Sequence, residues 1–286
     1  MKIITYNIRN WRNHQGESNV RQVLAALQAA DADIIGLNEA LHPHPSPDPA
    51  LPALDFLARE LGMHAVFGPS FQPQDAFHRP EAMSGNALLS RWPILAAAAH
   101  HLTPVITRQR GLLEARILLP DKTPMTFYVT HLEPKREDVR VEQVRAALSW
   151  TVRDRGKPHV LMGDLNTYNP ADFPDEATLA DFRAQAQARG FTFFEARALP
   201  RLLQNGYVDA CQSHPQPTWN TEDALWARMD FILLAGSLAA KTTSCRTLDS
   251  TIARQASDHL PVLVELEWES PTTLKTTISD LHASLV

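Results

Sequence analysis

Polar residues of two kinds stand at the ends of apolar runs in this chain: some suit a hard cation, others suit moving a proton. Ile3-Ile4-Thr5-Tyr6 leads into Asn7, Ile34-Ile35-Gly36-Leu37-Asn38 into Glu39, and Phe127-Tyr128-Val129-Thr130 into His131. Val160-Leu161-Met162-Gly163 leads into Asp164, with Asn166 just beyond. In two later runs the acid comes first or interrupts: Met229-Asp230-Phe231 and Ser257-Asp258-His259-Leu260-Pro261-Val262. Short apolar runs of this kind read as buried strands. A sheet brings many strand ends to one rim, so polar groups spread over most of the chain converge there.

Asn7, Glu39, Asp164, Asn166 and Asp258 offer only oxygen ligands, with no cysteine cluster and no His-x-x-x-His pair beside them. Such donors favour Mg²⁺ or Mn²⁺ over Zn²⁺. Asp230 and His259 suit a different role, since a carboxylate on one ring nitrogen orients an imidazole and stabilises its charged form. No Gly-x-Ser-x-Gly motif is present, which leaves water as the nucleophile. The set as a whole points to hydrolysis at a centre that develops negative charge, as phosphorus does. Each residue has a plainer reading alone. Asn7, or Asp164 with Asn166, could close a turn; Glu39 could be a solvated strand end; His131 could be structural. Those readings require a separate coincidence at each position.

The elements that position these residues follow from periodicity. Helical spacing over Asn19 to Ala30 puts Val20, Val23, Leu24 and Leu27 on one face. A proline-rich loop spans 42–52, followed by a short helix from Leu54 to Leu61 and a loop over 70–84. Strands at Asn86–Ser90, Ile94–His101, Leu112–Leu118 and Met125–His131 form an antiparallel meander. A long helix from Arg136 to Arg155 turns Val141, Val144, Leu148 and Val152 inward, and another covers Ala177–Arg189. Residues 195–228 read as irregular. Strands at Met229–Leu234, Ala239–Leu248 and Pro261–Trp268 close the fold. With no linker, residues 1–268 form one domain, and 269–286 are a docked helix or a tail.

The chain has 286 residues, 44% apolar and 21% charged, with a net charge of -5. That balance gives no support to a whole-surface polyanion binder, though a local basic rim or bound cations would change the sign at the site. Cys211 and Cys245 are the two cysteines; so few suit a reducing, cytoplasmic setting. No signal-peptide pattern and no bilayer-length apolar stretch occurs.

Thr5-Tyr6-Asn7, Asn38-Glu39, Ser84-Gly85-Asn86-Ala87-Leu88-Leu89-Ser90, Thr130-His131-Leu132, Gly163-Asp164-Leu165-Asn166, Arg228-Met229-Asp230-Phe231-Ile232 and Ser257-Asp258-His259-Leu260-Pro261-Val262 resemble, in order, the endonuclease/exonuclease/phosphatase superfamily, the deoxyribonuclease-I-like metal-dependent phosphoesterases. Gly-Asp-Leu-Asn and Ser-Asp-His are specific in combination and weak alone. The resemblance implies an α+β fold: a four-layer α/β sandwich of two packed, mostly antiparallel β-sheets flanked by helices, with the site at one end. It implies that Asn7 and Glu39 sit by the principal metal, Mg²⁺ or Mn²⁺, and Asp258 near it or a second ion. Asp164 and Asn166 would orient the attacking water or bind phosphate. His259, held by Asp230, would contact the phosphate or act as general base. His131 would contact a phosphoryl oxygen or protonate the leaving oxygen, with Asn86 orienting it.

Two departures stand out. Asn38 replaces the glutamine of many relatives, and His131 replaces the tyrosine usual in the abasic-site repair branch. The second weakens an abasic endonuclease reading. The expected activity is hydrolysis of a phosphodiester, nucleic acid or nucleotide-like. The alternatives are a phosphoesterase for a small or lipid-derived substrate, such as an inositol phosphate or sphingomyelin-like headgroup, and a binding module without turnover. Arg108, Arg110 and Arg116 could reach a phosphate chain, and Lys135, Arg136 and Arg140 could form a basic rim.

Overall fold

The computed structural model of the chain describes residues 1–73, 81–103, 109–190, 196–220 and 225–268. In chain order the elements are β1 (Lys2–Asn7), α1 (Val20–Ala30), β2 (Ile34–His42), α2 (Ala53–Leu61), β3 (His64–Phe71), β4 (Met83–Ser90), β5 (Ile94–His101), β6 (Gly111–Leu118) and β7 (Pro124–Thr130). There follow α3 (Glu137–Thr151), β8 (His159–Asp164), α4 (Glu176–Ala188), α5 (Ala198–Gln204), β9 (Tyr207–Asp209), β10 (Trp219–Asn220) and β11 (Leu225–Ala227). The chain then forms β12 (Asp230–Ala235), β13 (Thr242–Thr247), α6 (Thr251–Ala256) and β14 (Val262–Leu266).

Two six-stranded sheets carry the fold, ordered β13-β14-β1-β2-β4-β3 and β5-β6-β7-β8-β12-β9. β1 pairs parallel with β2, and β7 with β8; the other pairings within these sheets are antiparallel. The strand period of two separates the cores. Ile3, Ile34, Phe127, Val160 and Ile232 point between the sheets. Their neighbours Ile4 and Ile35 face α1 and α2, while Tyr128, Leu161 and Leu233 face α3 and α5. Each buried aliphatic or aromatic side chain contributes roughly 1.5–3 kcal/mol. A one-residue slip would exchange the two faces of a strand, so the register of the site-bearing strand ends is firmly set. The result is the expected α+β sandwich of helices, sheet, sheet and helices.

Several local expectations are corrected. β3 falls where no strand is expected: its sequence carries Gly68 and Pro69 and shows no clean alternation, which an edge strand tolerates. The stretch read as irregular holds α5 and β9, and the strand expected from Ala239 starts at Thr242 after a 3₁₀ segment. α3 ends at Thr151 and a 3₁₀ turn carries on to Asp154; of the residues expected inward Val144 is buried and Leu148 packs against the core, but the rest of the buried face is Glu137, Arg140, Gln143, Ala147 and Thr151. Val152 is exposed. The rotation turns the polar side chains of α3 toward the loop that follows His131. Residues 74–80 of the expected loop, Arg108 and the 269–286 segment lie outside the described residues.

Cys211 and Cys245 are joined by a disulfide with Cα atoms 5.2 Å apart, linking the β9 end of one sheet to β13 of the other. The pairing weakens the expectation of a reducing compartment drawn from the small number of cysteines. Among the described residues, no helix is long and apolar enough to cross a membrane.

Candidate active site

β1, β2, β7, β8 and β12 all end or begin on one rim of the sandwich, and the hub there is Asp164. Its Oδ2 accepts a hydrogen bond from Asn7 Nδ2 at 3.0 Å, and lies 3.3 Å from His131 Nε2 and 3.7 Å from His259 Nε2. Its Oδ1 accepts from the backbone N–H of Asn166 at 2.9 Å. Antiparallel pairing sets Asp230 directly opposite Asp164. Asp230 Oδ2 holds His259 Nδ1 at 2.8 Å. Thr218 Oγ1 accepts from the N–H groups of Met229 and Asp230 and steadies the start of β12.

The approach to Asp164 is unusually tight. Gly163 has φ 141°, and a Cβ there would come within 1.8 Å of the Thr130 carbonyl oxygen. Only glycine adopts that backbone at that contact. Asn38 lies in the same gap: Nδ2 donates to Asn86 Oδ1 and the Thr130 carbonyl, and Oδ1 accepts from the Asp164 N–H. One buried amide therefore ties β2 and β4 of one sheet to β7 and β8 of the other, directly beneath the site.

Glu39 stands at the mouth. A register shift between Leu37 and Ala40 and a φ of 54° at Glu39 turn its side chain out of the ladder, as bulges beside functional sites do. Its carboxylate accepts from Asn7 Nδ2 at 3.2 Å and Asn10 Nδ2 at 2.6 Å. Asp258, about one-third exposed, lies 3.6 Å from Arg9 Nε. Ser257 Oγ donates to the Asn7 carbonyl, fastening the Asp258 turn to β1.

The electrostatics of the two histidines oppose each other. For His259, burial disfavours the charged ring, but Asp230 and Asp164 outweigh it and hold its pKa well above the usual histidine value. Burial, the Arg110 guanidinium and His259 all push His131 well below that value. Burial raises Asp164 to about 7, against the pull of His259. The surroundings thus push the two imidazoles in opposite directions about one shared acid.

The structure brings Asn7, Glu39, His131, Asp164, Asp230 and His259 together, with Asp258 at the mouth. Two residues differ from expectation. Asn86 directs its hydrogen bonds elsewhere than to His131: its Nδ2 donates to the Gly111 and Val129 carbonyls and its Oδ1 accepts from Asn38 Nδ2. Asn166, at φ 48°, spends its Nδ2 on the Leu132 carbonyl, so it pins the loop after His131. The polar face of α3 pins the same loop: Gln143 Oε1 accepts from the Glu133 N–H, and Arg140 donates to the Glu133 carbonyl. Arg140 is buried in an ion pair with Glu137 and belongs to no basic rim.

Sequence reading missed Asn10 and left Arg110 as one of several arginines. Arg9, Asn10 and Trp11 all have positive φ, near 50–60°, a strain that non-glycine residues bear where the surroundings over-determine them. Nothing in the residue types announces that turn. The oxygen donors of Glu39, Asn7 and Asp258 fit a hard cation, and among the described residues no basic side chain pairs with Glu39. Asp164, Asp230 and His259 also have ligating atoms within 4.8 Å of one another, but the Asp230–His259 hydrogen bond already commits two of them.

Known structures share this architecture. An endonuclease/exonuclease/phosphatase from Beutenbergia cavernae DSM 12333 superposes with TM-score 0.68 at 21% identity, over 92% of this chain and 70% of that one. A 3′ phosphatase, NExo, from Neisseria bound to product DNA hairpin gives 0.66 at 20% identity, over 94% of this chain and 100% of that one. A mannosyl-6-phosphatase from Bacteroides thetaiotaomicron VPI-5482 gives 0.62 at 17%, over 94% and 100%. No curated protein matches the sequence. The family model described as Endonuclease/Exonuclease/phosphatase family matches residues 4–259, a span that reaches from β1 through His259 and includes every residue of the site. The chain belongs to the endonuclease/exonuclease/phosphatase family.

Proposed function

We propose that this chain is a Mg²⁺- or Mn²⁺-dependent phosphoesterase that hydrolyses a phosphodiester of nucleic acid or nucleotide type, with water as nucleophile. The observation that carries this is the convergence on Asp164 Oδ2 of Asn7, His131 and His259 at 3.0, 3.3 and 3.7 Å, beside the open carboxylate of Glu39. Residues 1–268 form the catalytic unit. Glu39, Asn7 and Asp258 would hold the metal; such an ion, when bound, neutralises phosphoryl charge and polarises the oxygen it contacts. The chain's own groups do the rest. Asp164 orients the attacking water and accepts its proton. His259, held charged by Asp230, donates a hydrogen bond from Nε2 to a phosphoryl oxygen as charge develops there. His131 faces the same space from the other side.

A second reading, hydrolysis of a small phosphate ester, is favoured by the basic residues nearby. Arg140 and Arg228 are buried in ion pairs with Glu137 and with Asp172 and Asp209, and Arg136 pairs with Asp138. These arginines form no open track for a polyanion. The 3′ phosphatase and the mannosyl-6-phosphatase show the same fold set against a DNA hairpin and named for a sugar phosphate.

A panel of single- and double-stranded DNA and RNA, nucleotide diesters and sugar phosphates, assayed with each metal, decides between them. Nucleic-acid cleavage should fall steeply with salt as phosphate contacts are screened. Turnover of small esters without nucleic-acid cleavage at low salt would select the second reading. Inertness toward the whole panel would leave a binding module.

A further inference from the structure

We propose that Arg110 is a positioning residue that fixes the His131 ring as its Nε2–H tautomer, so that His131 serves as a hydrogen-bond donor to a phosphoryl oxygen and not as the proton source for the leaving oxygen. The inference rests on the phosphoesterase reading above and assigns one of its groups a definite role.

Arg110 immediately precedes β6. Its carbonyl accepts from the Leu102 N–H at 2.9 Å. Its side chain is turned inward and buried. Nη1 lies 2.9 Å from His131 Nδ1. A guanidinium has donors only and does not lose its proton in proteins. The Nδ1 atom of His131 must therefore present its lone pair, and the one proton of the neutral ring sits on Nε2. That nitrogen is the one facing Asp164 Oδ2, at 3.3 Å.

His259 has the opposite constraint. Its Nδ1 faces a carboxylate, Asp230, at 2.8 Å. A carboxylate accepts, so this Nδ1 carries a proton. Two histidines meet at one aspartate with their tautomers set by partners of opposite charge. Protonating His131 at Nδ1 would press an N–H against the N–H of a buried cation. Burial and Arg110 both hold the ring neutral.

The chemical consequence is direct. A neutral imidazole gives up its Nε2 proton only by becoming an imidazolate, which is far too basic to form here. In hydrolysis the attacking water forms its bond to phosphorus and loses a proton. The opposite P–O bond breaks with its electron pair on the leaving oxygen, which takes a proton from solvent. His131 keeps its Nε2 proton throughout and donates its hydrogen bond to the phosphoryl group.

The test combines ¹⁵N-histidine NMR with kinetics. In the wild-type protein His131, assigned by its loss in His131→Gln, should show an unprotonated Nδ1 and a protonated Nε2. Arg110→Met should mix the tautomers and lower kcat/KM by about 10-fold or more, the scale of losing a partner that orients a site residue. Arg110→Lys, still a pure donor, should recover part of the loss. His131→Ala should cost a similar factor on a 4-nitrophenyl ester and on an alkyl ester of the same phosphate. A proton on Nδ1 in the wild type overturns the proposal. So does a His131→Ala penalty many times larger on the alkyl ester, because poor leaving groups are the ones that need an acid. If no phosphoester is turned over, the hydrolase reading fails, while the tautomer measurement still decides the Arg110–His131 contact; it also decides should Arg110→Met fail to fold.

Discussion

Asp164 and Asp230 face each other across the β8–β12 ladder, yet only Asp230 forms a hydrogen bond with His259, at 2.8 Å, while Asp164 stands 3.7 Å from the other ring nitrogen. On the proposed reading the two carboxylates divide the work: Asp230 would orient the ring from behind, and Asp164 would remain on the side facing substrate.

That division predicts the behaviour of Asp230→Asn. An amide in this position can offer His259 an N–H, which favours the wrong tautomer and removes the charge that stabilises imidazolium. We expect kcat to fall by ~10²-fold or more, the scale of general acid–base and orienting effects, with metal affinity measured by calorimetry nearly unchanged. A loss in metal affinity matching the loss in rate would show that Asp230 belongs to the metal site instead.

Glu39→Gln should do the reverse. The substitution keeps the shape and the bulge but removes the charge at the mouth. Mg²⁺ or Mn²⁺ affinity should weaken by about 10-fold or more, with activity partly restored at high metal concentration. Chelation of the wild-type protein should abolish turnover, and Mg²⁺ or Mn²⁺ should restore it. An unchanged metal isotherm in Glu39→Gln would move the ion elsewhere, Asp258 being the next residue to test.

The strand-borne part of the site was legible in the sequence because strand ends are marked twice, by the apolar run and by the polar residue that stops it. Asn7 and Asp164 are of this kind, while Asp230 opens the apolar run of β12. The part carried by unusual backbone was not. Asn10 reaches Glu39 through three consecutive left-handed residues, and no residue type among Arg9, Asn10 and Trp11 signals such a turn. Arg110 sits among other arginines, and only its burial and its contact with His131 separate it from them. α3 misled for a related reason. Its valines suggest an inward stripe, but Arg140 and Gln143 bond the loop after His131 and Glu137 accepts from the Arg197 and Ala198 N–H groups, and those bonds outweigh burying one more valine. Asn86 was recognised as part of the site but given the wrong partner, since periodicity places a residue on a face without saying which neighbour its amide meets.

Arg228 tests the foundation under β12. Its guanidinium is buried and bonded to both Asp172 and Asp209, at 2.9 and 2.6 Å. It thereby joins the loop after Asn166 to β9. Arg228→Leu would leave the buried Asp209 and the half-buried Asp172 without their cation, and removing one partner of a buried pair costs about 3–5 kcal/mol. Urea unfolding should show a loss of that order. A change below about 1 kcal/mol would mean that the acids find other partners, as exposed ions do.

His159 gives a pH prediction away from the site. Its Nδ1 lies 2.9 Å from the Lys157 carbonyl and its Nε2 2.9 Å from the Tyr207 hydroxyl. The neutral ring donates to the carbonyl and accepts from the hydroxyl, so both nitrogens are satisfied without a charge. Burial holds its pKa below the ordinary value, against the opposing pull of the Lys157 carbonyl. Between the folded and unfolded pKa values the unfolded chain binds more protons, so stability rises with pH there. The contribution is complete above the unfolded value of about 6.5 and is lost as pH falls from there through the folded value. His159→Gln can keep one donor and one acceptor but cannot titrate. Thermal unfolding of both proteins between pH 8 and pH 5, two settings on the order of a unit or more either side of that value, should therefore show the wild type losing more stability on acidification than the variant. Parallel curves would mean that the ring takes up its proton as readily in the folded protein as in the unfolded chain.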